Sequence, residues 1–359
     1  VGAAKAGARY VPLKIAERRE ETDDACTFLL DVPGELREGF AFRPGQHLAV
    51  RDTVRGKEER RTYSLCGSPG EWRILVKRVS GGAFSNHAND EWRPGRVVEA
   101  MRPQGFFCAP ARTPRGSRHL AVAAGSGITP VISILEALLR ADPTAQATLI
   151  YGNRSMRSII FRERLADLKD EHMSRLSVFH VLSRERTEND LFCGRLDREK
   201  CSDLFARIAP PLRFARAFLC GPEGMMEGAR AALAAAKFPP KRIRTEIFTV
   251  DRTAAALPET RKGRARAQCE ARVVLDGVSH RVGIAVGQTV LEAAAAQGVD
   301  LPYSCRGGVC ATCKAMLRDG KVEMDANYAL GSEERKKGYV LACQSRPLSP
   351  RLTLDFDVA

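Results

Sequence analysis

The spacing of apolar residues changes twice along the chain and divides it into three stretches. From 10 to 113, short runs alternate apolar with polar positions and stop at Pro or Gly, as in "FRPGQHLAV", "RRTYSLCGSP", "WRILVKRV" and "GRVVEAM". Period-two runs bounded by turn residues predict strands, and several in succession predict an antiparallel β-barrel. From 114 to 252 the apolar runs become continuous, in "HLAVAA", "ATLIYGN", "LSVFHVLS" and "FARAFLCGP", and helical patterns such as "VISILEALLRA" fall between them. Strands alternating with helices predict an α/β domain, a parallel sheet with helices on its faces. From 269 to 359 the order is hairpin, helix, loop and further strand. "ARVVLDGVSHRVGI" predicts two strands around an Asp276-Gly277 turn. "TVLEAAAAQG" predicts a helix opened by a Thr289/Glu292 capping box and closed at Gly298. That order is the α+β plan of a β-grasp domain. Residues 253–268 lie between the second and third stretches. They include the basic run "RKGRARA" and predict a solvated linker.

A chain of 359 residues has room for these domains. It contains no stretch approaching the ~20 apolar residues of a membrane helix, and its start lacks the apolar core of a signal peptide, so it reads as soluble and cytoplasmic. The net charge is +14, but from Cys269 onward there are 11 basic and 11 acidic residues, so the excess lies upstream. The basic residues are spread out and accompany no recognition motif, which argues against nucleic acid as a partner.

There are eleven cysteines. An odd number without an export signal argues against a disulfide framework. Cys26, Cys66, Cys108, Cys193, Cys201 and Cys269 have no neighbour at ligand spacing and read as packing residues. "LPYSCRGGVCATCKAML" differs. Cys305, Cys310 and Cys313, completed by Cys343, make C-x4-C-x2-C-x29-C, the plant-type spacing for a [2Fe–2S] cluster. Structural zinc usually takes two close pairs instead. Gly307 and Gly308 let the main chain approach the cluster.

Two glycine turns mark the middle stretch. Gly125 and Gly127 in "GSGITP" sit between a strand and a helix, with Thr129 placed to cap that helix and Pro130 in its first turn. "CGP" (Cys220, Gly221, Pro222) follows a second strand. Both predict helix N-termini able to receive a phosphate at the carboxyl edge of a sheet. In the first stretch, alternation puts Arg61 and Tyr63 of "RTYS" on one face and Ser64 on the other. "GGAFSN" predicts a turn into a short helix, another possible anion site.

"RTYS", then "GSGITP" with "CGP", then the cysteine loop resemble the ferredoxin–NADP reductase superfamily, over nearly the whole chain. "LPYSCRGGVCATCKA", "GKVEMDANYAL" and "LACQSRPLSPRLTLDFD" resemble its members that serve oxygenases. The resemblance implies that the barrel binds FAD. Arg61 would meet its diphosphate, Thr62 would lie beside it, Tyr63 would pack on the ring system, and Ser64 would bond near the reactive nitrogen. The backbone of Gly82, Ala83, Phe84 and Ser85 would hold the pyrophosphate. Cys220 would stand near the hydride-donating carbon, giving Tyr63, Ser64 and Cys220 as the catalytic set. Glu246 and Phe248 would be the acidic and aromatic residues at the end of the nucleotide domain. Arg154 and Ser155, with Arg157, suit a 2′-phosphate and so NADPH over NADH, although they could simply begin the next helix. The implied activity is electron transfer from NADPH through FAD and the cluster to the separate oxygenase component of a multicomponent system. The alternatives are the reductase of a ring- or steroid-hydroxylating oxygenase, a stand-alone acceptor reductase and a redox sensor.

Overall fold

The computed structural model describes residues 10–110, 113–248 and 269–358. The expected linker, 253–268, lies outside the described residues. The first domain holds β1 (Val11–Thr22), β2 (Ala25–Asp31), β3 (His47–Val54), β4 (Lys57–Ser64), β5 (Trp72–Lys77), α1 (Ala83–Glu91) and β6 (Val97–Ala100). Its strands pair antiparallel in the order β4-β3-β6-β1-β2-β5. A bridge between Leu65 and Ile74 joins the two ends, which closes the barrel. Inward positions carry Leu13, Ile15, Phe28, Leu48 and Ile74, and Trp92 meets Phe28 and Phe84 edge-on at 5.1 and 5.7 Å. The indole N–H of Trp92 donates to Asp52 at 2.8 Å, so its polar end is satisfied inside the core.

The second domain adds β7 (Arg118–Ala124), α2 (Ile128–Ala141), β8 (Gln146–Asn153), α3 (Arg162–Glu171), β9 (Leu176–Leu182), α4 (Arg198–Arg207), β10 (Arg216–Cys220), α5 (Glu223–Ala235) and β11 (Ile243–Glu246). All five strands are parallel, in the order β11-β10-β7-β8-β9. Helices α2 and α3 cover one face and α4 and α5 the other. Burial on both faces is why these strands are continuously apolar. The strand order reverses between β7 and β10, which creates a crevice where their carboxyl ends diverge.

The third domain contains β12 (Cys269–Leu275), β13 (Val278–Ile284), α6 (Val290–Ala296), β14 (Lys314–Asp319), β15 (Val322–Met324), α7 (Ser332–Lys336), β16 (Tyr339–Leu341), β17 (Ser345–Pro347) and β18 (Arg351–Asp355). Its main sheet runs β13-β12-β18-β14-β16, with β12 and β18 parallel, and β15 pairs with β17 apart from it. The turn residues Asp276 and Gly277 have φ of 52° and 74°, as a two-residue hairpin demands. Thr289 and Glu292 form the expected capping box, and Gly298 closes the end with φ 76°.

The domains meet in two different ways. Ala25, Cys66, Leu75 and Phe107 of the barrel join the core beneath α2, so the first two domains share one apolar interior. Arg164 reinforces that joint, forking onto Glu136 at 2.7 and 2.8 Å and reaching the Cys66 carbonyl. The third domain rests on the barrel through a polar seam. Arg60, its side chain only 5% exposed, forks onto Asp300 at 3.0 Å to each oxygen and lies 4.3 Å from the Tyr303 ring. Among the described residues no helix is long and apolar enough to cross a membrane.

Candidate active site

At the crevice, β10 ends on Cys220 and β11 on Glu246, and these two residues are cross-strand partners. Cys220 is fully buried. Burial, with the Glu246 carboxylate beside it, pushes its thiol well above the ordinary range, so it stays neutral. From the barrel, Ser64 donates from Oγ to Glu246 Oε2 at 3.2 Å. Three residues from separate stretches of sequence thus meet at the switch point. Gly127 is required by space, since a Cβ there would lie 2.1 Å from the Cys220 carbonyl oxygen, and Gly221 is closely packed, since a Cβ there would lie 3.1 Å from the Ala124 nitrogen.

Thr129 does not cap α2, contrary to the expectation. Gly127 is the N-cap, no side chain caps that end, and Thr129 donates back to the Ser126 carbonyl at 2.9 Å. The close approach of Gly127 to Cys220 fixes the helix start two residues earlier than a hydroxyl cap at Thr129 would. Pro130 sits in the first turn, where its missing N–H costs nothing. Pro222 stands at the N-cap of α5.

On the barrel, Arg61, Tyr63 and Phe84 share a face. The Tyr63 and Phe84 ring centroids are 6.0 Å apart, and the Arg61 guanidinium lies 5.9 Å from the Phe84 ring. Arg61 also pairs with Glu59 at 2.8 Å and is half-exposed. Thr62 lies between Arg61 and Tyr63 on β4. α1 begins at Ala83 with Gly82 as N-cap and no side chain capping it, so the first-turn N–H groups, Phe84 and Ser85 included, can serve an anion. A Cβ at Gly82 would press on Ser85 Oγ at 2.8 Å and Val79 Cβ at 3.0 Å.

After β8, Ser158 does the local capping. Its hydroxyl accepts from the N–H groups of Arg154 and Ser155 at 3.2 and 3.0 Å. Arg184 donates its backbone N–H to the Arg154 carbonyl, and Glu185 accepts from the Met156 N–H at 2.8 Å. Phe248 is 38% exposed and follows β11.

The four cysteines of the C-terminal loop fall into two pairs, Cys305 with Cys310 and Cys313 with Cys343. Among the described residues no three His, Cys, Asp or Glu side chains converge on a point suited to one metal ion. A zinc centre would need such convergence, whereas two irons each need a pair. The Cys310 thiol and the N–H groups of Gly307, Val309 and Cys310 draw the Cys305 thiol down to about 5. Cys343 is drawn down by the Cys313 thiol, and Cys310 and Cys313 are pushed up by their partners. Within each pair the thiols are close enough to hydrogen-bond, and a cationic centre would displace their protons. Arg306, Gly308 and Ala311 have φ of 52°, 75° and 55°. For the two non-glycines that conformation costs about 1–2 kcal/mol each, and it turns main-chain N–H groups toward the sulfurs. The buried hydroxyl of Ser304 has no partner among the described residues. The donor set fits a [2Fe–2S] cluster. The other cysteines form no disulfide.

Two residues at these sites carry no sequence signal. Arg60 reads as one more charge on a strand, and His47 as an ordinary strand residue, yet each contacts the third domain more than 200 positions away.

Three family descriptions match the chain: "Oxidoreductase FAD-binding domain" over residues 12–108, "Oxidoreductase NAD-binding domain" over 121–231, and "2Fe-2S iron-sulfur cluster binding domain" over 273–348. The chain is 43% identical to a subunit of the 1,2-phenylacetyl-CoA epoxidase of Escherichia coli (strain K12), over 96% of this chain and 97% of that protein. It is 36% identical to the ferredoxin reductase component of 3-ketosteroid-9-alpha-monooxygenase from Rhodococcus rhodochrous, over 98% of each. Among solved structures it is similar to phthalate dioxygenase reductase, with a TM-score of 0.57 and 27% identity over 97% of this chain and 98% of that one. Its cofactors are FAD, a nicotinamide nucleotide and a [2Fe–2S] cluster. With those three matches in this order and near-complete alignment to both relatives, the chain belongs to the family of flavin-dependent oxidoreductases that join an FAD barrel and a nicotinamide nucleotide domain to a C-terminal [2Fe–2S] domain.

Proposed function

We propose that this protein is the NADPH-dependent reductase component of a phenylacetyl-CoA epoxidase, working in the cytoplasm, where its free thiols persist. The observation that carries the reading is the likeness to the phenylacetyl-CoA epoxidase subunit over nearly the whole of both chains, and the electron route is supported by the meeting of Ser64, Glu246 and Cys220 at the crevice. The nicotinamide brings an electron pair as hydride, FAD can take the pair and release single electrons, and the cluster carries one at a time.

The chain's own residues hold and orient. Arg61 and the first-turn N–H groups of α1, from Gly82 through Ser85, bind the flavin diphosphate, with Thr62 beside them. Tyr63 offers its ring to the flavin. The Ser64 hydroxyl, fixed by Glu246, bonds near the reactive nitrogen. Gly125, Gly127, Thr129 and Pro130 hold the nucleotide phosphates at the start of α2. Gly221 and Pro222 let the nicotinamide approach Cys220, whose neutral thiol shapes the pocket and donates no negative charge to it. Phe248 borders this pocket. Hydride transfer demands close alignment, which these packed residues impose. Cys305, Cys310, Cys313 and Cys343 hold the cluster.

Arg154, Ser155 and Arg157 favour NADPH. Replacing Arg154 by alanine should raise KM for NADPH about tenfold, the worth of one charge-assisted hydrogen bond, and leave KM for NADH unchanged. Equal KM changes for both nucleotides would take Arg154 out of 2′-phosphate recognition.

The test of the whole reading is an anaerobic titration with NADPH and with NADH, followed by visible absorbance and electron paramagnetic resonance. Flavin bleaching followed by a rhombic [2Fe–2S] signal, faster with NADPH, is expected. Flavin bleaching without that signal would remove the carrier role. The likeness to the ketosteroid system favours a steroid-hydroxylating oxygenase as the second reading. Turnover with the oxygenase of each system separates the two, and turnover with neither would favour a stand-alone acceptor reductase.

A further inference from the structure

His47 touches all three domains. It opens β3 of the barrel, where its backbone pairs with Ser64 on one side and with Gln104 on the other. Its side chain is 7% exposed. Nε2 lies 2.9 Å from the carbonyl oxygen of Cys310, a ligand in the cysteine loop. Nδ1 lies 3.6 Å from Glu246 Oε1, at the end of the nucleotide domain. Glu246 holds Ser64 through its other oxygen. Gly105 makes room for the ring, since a Cβ there would sit 2.9 Å from Nδ1.

The carbonyl of Cys310 can only accept, so Nε2 carries the hydrogen of this bond. The bond is buried, and losing it would leave the Cys310 carbonyl without that donor. Elsewhere Lys314 lies 5.3 Å from the Phe106 ring, and the rest of the seam runs through Tyr10 and Arg60. There Tyr10 donates to the Tyr303 carbonyl at 3.4 Å and Arg60 binds Asp300. Those contacts hold the domain against the barrel but touch no cysteine. Among the described residues, only the His47 bond ties a cluster ligand to the group of residues around Ser64.

We propose that His47 is a positioning residue for the step between flavin and cluster: its Nε2–H holds the Cys310 main chain at a fixed distance from the Ser64–Glu246 junction. His47 takes no electron and moves no proton in this role. With both groups bound, the flavin would supply single electrons, and the imidazole would hold the loop that carries the cluster ligands against the Ser64–Glu246 side. The inference rests on the proposed route from nucleotide through flavin to cluster, and it adds a specific residue to that route.

The experiment uses the cofactor-loaded protein and three variants, His47→Phe, His47→Ala and His47→Gln. Phenylalanine keeps ring volume without the N–H, and the glutamine amide can return an N–H near the place of Nε2. Two readouts are taken. Stopped-flow with NADPH follows flavin bleaching and then the cluster signal. Hydrogen exchange follows the amides of 305–313. In His47→Phe and His47→Ala the cluster signal should develop about tenfold more slowly, because losing one buried hydrogen bond lowers the population of the docked loop by about that factor. Flavin bleaching should slow by less than the cluster step, since Ser64 keeps its bond to the other oxygen of Glu246, and the 305–313 amides should lose protection. His47→Gln should restore both toward the parent. Unchanged cluster reduction in His47→Phe, or equal losses in all three variants, would overturn the proposal. If the parent itself shows no cluster reduction, the electron route fails, and the exchange readout still decides whether His47 holds the loop.

Discussion

Replacing Cys343 by alanine should abolish the [2Fe–2S] resonance signal and electron delivery to any protein partner, while NADPH still bleaches the flavin. Cys343 follows Cys313 by thirty positions and comes from the turn after β16, outside the loop that carries the other three. It is buried against Cys313 and is held by Gln344, whose amide donates to the Cys343 carbonyl at 2.9 Å. Three thiolates leave one iron with a single protein ligand, and the plant-type cluster uses four. The flavin step should survive because Ser64, Glu246 and Cys220 lie on other domains and none touches Cys343 through a hydrogen bond. The third domain should also unfold at a lower temperature, since ligand-bound metal contributes folding energy. A full rhombic signal in the variant would remove Cys343 from the ligand set. Loss of flavin bleaching as well would mean the cluster domain supports the flavin site, contrary to the separate packing of their cores.

The readable parts of this chain were those written in local spacing. The cysteine motif, the Asp276-Gly277 turn and the Thr289/Glu292 box each lie within a few residues, so their chemistry can be recognised along one segment. The parallel sheet was legible because burial on both faces makes its strands continuously apolar. β1 and β2 are long strands of the barrel that the first-stretch pattern did not single out. β1 passes from alternating burial into a run of charged residues, "ERREET", where it leaves the core, and a strand exposed on both faces has no period to read. Thr129 misled for a related reason: a hydroxyl near a helix start suggests a cap, but the start itself was set by the contact of Gly127 with Cys220, ninety-three positions away. Long-range pairs such as Arg60 with Asp300 and His47 with Cys310 leave no trace in spacing, because nothing near either residue depends on the other. The expectation that "RTYS" serves a flavin rests on resemblance, since Arg61 and Tyr63 alternate like any barrel residues and only the fold brings Phe84 beside them.

Removing the acid at the crevice should have the other large effect. In Glu246→Gln and Cys220→Ala the rate of flavin reduction by NADPH should fall about a hundredfold, the order expected when reacting atoms lose alignment by roughly 1 Å. Glu246 fixes Ser64, and the amide of glutamine can donate as well as accept, so the Ser64 hydroxyl would no longer be held in one orientation. Cys220 fills a fully buried position between strands, and alanine there leaves a void beside the place proposed for the nicotinamide. Because its thiol is neutral, serine should recover part of the rate by restoring volume, whereas a thiolate role would make serine as poor as alanine. Nucleotide affinity should change by less than the rate, since Arg154 and the start of α2 stay intact. Dithionite separates this from damage elsewhere: added directly, it should reduce the cluster in both variants and give the parent signal. A variant that binds NADPH normally and is reduced by dithionite, yet bleaches at the parent rate with NADPH, would take these two residues out of the hydride step. The flavin pocket would then have to be aligned by Tyr63 and the barrel alone.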